Sequence, residues 1–158
     1  MEDIFPNLSD QSTSQILREE APVIRVIQTK IDEGREAEHN LTAIRGAILR
    51  ELTNAKGVGV FRRIGIQRRL RELDTRINQL HGKNQEAELK LRTFIGGVQS
   101  GRIRDRRQAR SILDNIYHFC GTVVAKLVVL CRGLAGAVVN VYQRVILGLS
   151  NAIHGILG

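Results

Sequence analysis

Residues 66–98, IQRRLRELDTRINQLHGKNQEAELKLRTFIGGV, decide the fold of this chain. Apolar side chains recur there at alternating four- and three-residue steps, without a skip, over four heptads. A repeat of about 3.5 residues predicts a helix whose narrow apolar stripe packs against another helix. The positions of this seam are Ile66, Leu70, Leu73, Ile77, Leu80, Asn84, Ala87, Leu91, Phe94 and Val98. Asn84 is the polar member, and asparagine at such a position specifies register and strand number.

Residues 22–55 supply a second apolar stripe, which Gly34 interrupts. The glycines at 57 and 59 predict a turn between the two helices, because glycine costs about 1 kcal/mol inside a helix. Similar helix lengths and a short link favour an antiparallel hairpin within one chain, which self-associates through its leftover apolar face. The alternative is an extended parallel coiled coil between chains. In both cases we expect a homo-oligomer, with an oligomerisation seam formed by Ile66, Leu70, Leu73, Ile77, Leu80, Asn84 and Leu91.

The composition favours helices throughout. Aromatic residues make up 4% of the chain, Trp is absent and there are two prolines. Long stretches are therefore free to be helical, and a core built on large aromatic side chains is not expected. We predict an all-α protein in which a long helical hairpin or coiled coil is followed by amphipathic, apolar C-terminal helices. The helices are expected near residues 22–55, 62–97 and 112–156.

The predicted organisation has four parts. A flexible acidic tail covers residues 1–20, and a helical oligomerisation region covers residues 21–100. An arginine-rich linker, residues 101–111, leads to an apolar membrane-interacting region, residues 112–158. Ser111 and Asp114 resemble a capping box, which predicts that the last helical region starts there.

Charge is unevenly distributed along the chain. The net charge is +8, with −3 over residues 1–60, +9 over residues 61–111 and +2 over residues 112–158. A basic block beside an apolar segment predicts binding to anions, either lipid headgroups or nucleic-acid phosphates. The residues expected to bind an anionic surface are Arg102, Arg104, Arg106, Arg107 and Arg110.

The C-terminal region contains only four charged residues after position 111. Projected at about 100° per residue, most of its polar positions fall on a narrow stripe around Lys126. This pattern predicts amphipathic helices that lie in the headgroup plane, with breaks near residues 133–136 and 148 where glycines occur. A membrane-spanning helix and a buried helix pair in a soluble bundle are the alternatives. The residues expected to face the membrane are Val123, Leu127, Leu134, Val138, Val145, Leu149 and Ile156.

Residues that could carry chemistry are few and scattered. The four histidines are far apart, and no spacing typical of a metal site or a nucleophile elbow occurs. Cys120 and Cys131 would lie about 16 Å apart on a continuous helix, which is too far for a disulfide bond. We therefore expect no enzyme activity, no metal and no cofactor. The acidic N-terminus does not fit a signal peptide, so an intracellular location is expected.

Together these features predict a non-enzymatic, oligomeric, membrane-associated protein that binds anionic surfaces. The expected partners are further copies of the chain, an anionic lipid membrane and a protein that docks on the N-terminal tail. The alternative is a basic coiled-coil protein with a buried C-terminal core, which binds nucleic acid without sequence preference. No aromatic residues interleave the arginines in this reading, so base stacking is not expected. The order of these segments is similar to that of small viral accessory and effector proteins, but such a similarity in organisation does not determine function.

Overall fold

The computed structural model describes residues 15–54 and 59–157, with side chains up to residue 144 in the last helix. After a helical turn at residues 15–19, helix α1 spans Ala21–Asn54, α2 spans Val60–Gln99, α3 spans Arg106–Phe119 and α4 spans Ala125–Leu157. A π-helical turn, Cys120–Val124, joins α3 to α4. No strand occurs among the described residues, and the predicted all-α class is confirmed.

The chain divides into two compact units, the first of which contains Met1–Arg35 and His81–Lys126. Its core lies between the first part of α1, the second part of α2, and α3. The buried residues of this core are Ile16, Ile27, Ile31, Ala87, Leu91, Phe94, Val98, Ile103, Ala109, Leu113, Ile116 and Cys120. Full burial of a large apolar side chain stabilises a fold by roughly 1.5–3 kcal/mol, so this core is the main force that joins the three helices.

Residues 15–20 pack against the first unit's core through Ile16 and Leu17. Ile16 is buried, and the amide of Glu20 donates a 2.9 Å hydrogen bond to the carbonyl of Ile16. The prediction of a flexible tail is therefore wrong for residues 15–20. The reason is tertiary, because Ile16 and Leu17 pack against apolar residues that are distant in sequence. The rest of the predicted tail, residues 1–14, lies outside the described residues.

The second unit contains Glu36–Leu80 and Leu127–Gly158. Its core combines the second part of α1, the first part of α2, and α4. The core residues are Ile48, Leu52, Ile66, Leu70 and Val138, with Val139, Val141 and Tyr142 packed against them. The hydroxyl of Tyr142 donates a 3.4 Å hydrogen bond to Glu51, which ties α4 to α1 at the edge of this core.

Helices α1 and α2 run antiparallel within each unit. In the first unit Arg35 forms an ion pair with Glu88, and in the second unit Arg45 Nε lies 3.1 Å from Asp74 Oδ1. All ten seam residues between positions 66 and 98 are buried inside the chain. Of the two arrangements that the sequence allowed, the hairpin is the one adopted. The residues assigned to an oligomerisation seam are thus inaccessible in the folded chain, because α1 and the C-terminal helices cover them.

Helix α3 begins within the predicted arginine-rich linker. Asp105 has extended backbone angles, and its Oδ1 accepts a 3.2 Å hydrogen bond from the amide of Arg107, which is the geometry of an N-cap. Ser111, the predicted start, lies inside the helix. Both residues are good caps, and the local sequence does not distinguish them.

Helix α4 continues without interruption through Gly133, Gly136 and Gly148, so the predicted breaks do not occur. Each glycine costs a helix about 1 kcal/mol. Burial of Cys131, Ala135 and Val138 on the same stretch of α4 offsets this cost, since most helical stability in proteins comes from packing.

Candidate membrane-contact surfaces

All five arginines that were predicted to bind anions are exposed in the first unit. We call this set the arginine surface, and its members are Arg102, Arg104, Arg106, Arg107 and Arg110. They lie on the turn after α2 and on the first turns of α3. Their exposure leaves the charged groups accessible to an anionic surface.

The turn that presents these arginines is held to the core by Ile103. Its side chain is buried, and its amide donates a 3.0 Å hydrogen bond to the carbonyl of Gly97. A Cβ added at Gly97 would lie 2.8 Å from Ile103 Cδ1, so the close approach requires glycine. Gly101 has φ of 80°, which lets the chain reverse. The glycines near the end of α2 therefore shape the turn and do not fray the helix, which continues to Gln99.

The arginine surface is only partly neutralised by acidic neighbours. Arg106 Nε lies 3.1 Å from Glu19 Oε2 and 3.8 Å from Glu20 Oε1. The guanidinium groups of Arg107 and Arg110 form no ion pair or hydrogen bond with any residue in the described ranges. These two residues are therefore the clearest candidates for binding an external anion.

Four residues of the predicted membrane-facing arc have described side chains, and all four are at least partly covered by protein. Val138 is 0% exposed in the core of the second unit. Val123, Leu127 and Leu134 are half-buried. The prediction that Val138 faces lipid is wrong, because the same apolar arc that suits acyl chains also suits a helical core. The side chains of Val145, Leu149 and Ile156 lie outside the described residues.

Other apolar surface of the C-terminal helices remains exposed. The helical run Arg106–Arg144 is long and apolar enough to cross a membrane by length and composition, although core helices of soluble proteins meet the same criteria. Only 22% of its most apolar stretch is buried. Among the side chains of α4 that the structure describes, the large apolar ones that are exposed are Val129 and Leu130. A helix that is so apolar and so little buried has apolar surface that the described residues of the protein do not cover.

The two cysteines are buried and not bonded to each other. Burial raises the pKa of the Cys120 thiol, and nearby Lys30 opposes that change. Burial also raises the pKa of Cys131, against the effect of Arg76. Both thiols are therefore poor nucleophiles at neutral pH, which favours a packing role over a reactive one.

An open groove of about 450 Å³ lies between α2 and α3 in the first unit. Its walls are mainly apolar, with Leu89, Phe94 and Ile112 among them. Among the described residues, no group of three or more His, Cys, Asp or Glu side chains could hold a metal ion. The groove adds apolar surface close in sequence to the arginine surface, since Ile103 lines it.

Three exposed apolar residues at the start of α2 were not identified from the sequence. Val60, Phe61 and Ile64 lie in the second unit and are exposed. They are out of phase with the seam, whose first member is Ile66. That phase difference could have indicated from the sequence that the three residues are exposed, but the regular spacing of the seam drew attention away from them. Phe61 also directly precedes Arg62 and Arg63, so an aromatic side chain does lie beside the arginines at the start of α2.

Comparisons with known protein families, with curated proteins and with solved structures find no match. No property of a relative is therefore carried over to this chain.

Proposed function

We propose that this protein is a non-enzymatic, membrane-associated helical protein that binds anionic membranes peripherally. The arginine surface contacts lipid phosphates, and exposed apolar side chains of the C-terminal helices contact the region just below the headgroups. The observation that carries the proposal is the low burial of the most apolar stretch within the run Arg106–Arg144. A soluble core helix of this composition is normally mostly buried.

The charges support an anionic membrane over a neutral one. A basic side chain close to an anionic leaflet contributes about 1 kcal/mol of binding free energy. Arg107 and Arg110 begin the apolar helical run and form no internal ion pair with the described residues. Together they account for about 2 kcal/mol of binding, or roughly thirty-fold in affinity.

The corrected position of Val138 changes which residues contact lipid in this proposal. Val129 and Leu130 take the place of the predicted arc, since both are exposed while Val138 is in the core. Lys126 and Asn140 are exposed as well, which keeps the polar stripe in contact with water or headgroups. At about 100° per residue Val129 and Leu130 flank Lys126, so this exposed side of α4 meets the membrane at the level of the headgroups while the opposite side packs in the core.

Flotation with lipid vesicles tests the proposal. The full chain should float with phosphatidylcholine vesicles that contain phosphatidylserine, and poorly with phosphatidylcholine alone. The double variant Arg107→Gln and Arg110→Gln should bind the anionic vesicles roughly thirty-fold more weakly. The matched control, Arg25→Gln and Arg50→Gln, removes the same charge from exposed positions outside the arginine surface and should bind nearly as wild type. Failure of the full chain to float would contradict the proposal.

Sequence-independent binding to nucleic acid is a second candidate. It is favoured by one observation, the exposure of Arg62, Arg68, Arg69 and Arg71 along α2. Such binding would weaken steeply with salt, because each phosphate contact releases counterions. Tight, salt-sensitive binding to duplex RNA by a chain that does not float would favour this candidate over the membrane function.

A further inference from the structure

The start of α2 presents three neighbouring apolar side chains to solvent. Val60 is 71% exposed, Phe61 is 91% exposed, and Ile64 is about half exposed. At about 100° per residue these three positions share one side of the helix. Ile66 and Leu70 face the core of the second unit from a different side. We call Val60, Phe61 and Ile64 the apolar tip.

Basic residues surround the apolar tip. No Asp or Glu occurs in residues 52–71, a stretch with six Lys and Arg residues. Arg63 is used internally, since its guanidinium donates a 2.9 Å hydrogen bond to the carbonyl of Leu52. The exposed arginines within the tip and in the two helical turns after it form what we call the basic collar, Arg62, Arg68, Arg69 and Arg71.

We propose that the apolar tip inserts into the interface of an anionic lipid bilayer while the basic collar binds the headgroup phosphates. This inference rests on the proposed membrane function and adds a contact site, separate from the arginine surface, in the second unit. Burying Phe61 in lipid removes from water the most exposed large apolar side chain of the described chain. The charge of the collar complements the phosphates and carboxylates of anionic lipid.

The spacing along α2 fits the depth of an interfacial anchor. Seven residues separate Phe61 from Arg68, which is a rise of about 10 Å at roughly 1.5 Å per residue. Interfacial helices bury their apolar residues about 5–10 Å into the boundary between headgroups and acyl chains. With the helix end pointing toward the bilayer, Phe61 reaches that depth while Arg68 stays at the level of the phosphates.

The composition of the tip favours lipid over nucleic acid. Stacking on bases uses aromatic rings, and Phe61 is the only aromatic residue of the tip. Val60 and Ile64 have no ring to stack on a base, and only transfer to an apolar environment would stabilise them. A second copy of the chain is also disfavoured, because joining two tips would bring two basic collars within a screening length of about 10 Å.

A tryptophan at position 61 gives a direct test, since the chain contains no Trp. In the full chain with Phe61→Trp, vesicles containing phosphatidylserine should shift the emission to the blue, and lipids brominated on their acyl chains should quench it. The control is Gln85→Trp, at an exposed position of α2 in the first unit, which brominated lipids should not quench. An unquenched indole in the Phe61→Trp variant, on a chain that floats, would overturn this inference and leave the proposed function standing.

Serine substitution measures the contribution of the tip. Phe61→Ser should weaken flotation with anionic vesicles about ten- to hundred-fold, the range expected for loss of one buried aromatic side chain. Val26→Ser, which removes an exposed valine on α1 of the first unit, should have little effect. Arg68→Gln with Arg71→Gln should weaken binding about thirty-fold. Both serine positions are exposed, so helicity should stay at the wild-type value.

The same variants separate the other occupants of the tip. If Phe61→Ser lowers the sedimentation mass and leaves flotation unchanged, the tip contacts a second copy and the inference is wrong. If Phe61→Ser weakens binding to single-stranded RNA and leaves flotation unchanged, the tip contacts nucleic acid and the inference is equally wrong. If the full chain does not float at all, the proposed function itself fails.

Discussion

The side-chain amide of Asn84 donates a 3.0 Å hydrogen bond to the backbone carbonyl of Gly34. Both residues are in the first unit, where α1 and α2 approach each other closely. An asparagine in an apolar seam commonly fixes the register between chains. In this protein the bond fixes α1 against α2 within one chain, and Gly34 is the residue that allows the approach.

Gly34→Ala should destabilise the protein. A Cβ at this position would lie 2.5 Å from Asn84 Oδ1 and 3.0 Å from Val124 Cγ1, so neighbouring groups would have to shift. Overpacking of this kind costs about 1–3 kcal/mol. Gly46→Ala is the matched control in the same helix, because nothing lies within 4 Å of the added Cβ. The control should stabilise by up to about 1 kcal/mol. Urea unfolding followed by circular dichroism measures both, and equal effects would argue against the close contact.

Asn84→Ala should destabilise the protein without changing its oligomeric state. The side chain is buried, and its loss removes the hydrogen bond to Gly34 and leaves a small cavity. The expected cost is about 1–3 kcal/mol. Sedimentation at equal concentration measures the mass, and urea unfolding measures the stability. A changed mass with unchanged stability would instead assign Asn84 to a contact between chains.

Val138→Asp should unfold the second unit in the absence of lipid, whereas Asn140→Asp should not. Val138 is in the core, and burying an unpaired carboxylate costs several kcal/mol. Asn140 is exposed, so the same added charge is solvated there. Thermal melting of the lipid-free variants distinguishes them. Should Val138→Asp melt like wild type and lose only vesicle binding, Val138 would face lipid as the sequence pattern first indicated.

The two thiols should react slowly in the native protein and make its stability depend on pH. Burial raises the pKa of Cys120 and of Cys131 in the folded state. A raised thiol pKa favours the neutral folded form, so this contribution is complete below the unfolded thiol pKa of about 8.5. It is lost as the pH rises through the folded value. The variant with Cys120→Ser and Cys131→Ser should therefore lose less stability between neutral and alkaline pH than wild type, as measured by urea unfolding. Rapid reaction of native thiols with a disulfide reagent at pH 7 would contradict their burial.

Much of the hairpin was predictable from local pattern. The four- and three-residue steps between Ile66 and Val98 determine a long helix with one apolar stripe, and all ten positions are buried as the pattern requires. The glycines after residue 56 and the similar lengths of the two helices favoured the antiparallel arrangement that α1 and α2 adopt. Such features follow from the periodicity of apolar residues along each helix, which does not depend on the packing partner.

Other features depended on contacts that no local pattern contains. Ile16 became part of a core although, apart from Leu17, the residues around it in sequence are polar. Asp105 capped α3 although Ser111 is an equally good cap by type. The exposure of Phe61 was not predicted, because it results from the absence of a packing partner in the folded chain, which no sequence pattern shows. For Ile16 the deciding partners, in α2 and α3, are far away in sequence.

The sequence by itself determined that the C-terminal region is helical, apolar and crossed by a narrow polar stripe. Only the tertiary structure decided which part of the apolar arc the protein uses for its own core. Val138 is buried against α1 and α2 of the second unit, while Val129 stays 68% exposed. The physical reason is that removal of apolar surface from water stabilises a protein core and a membrane contact in the same way, so hydrophobic periodicity alone cannot distinguish them.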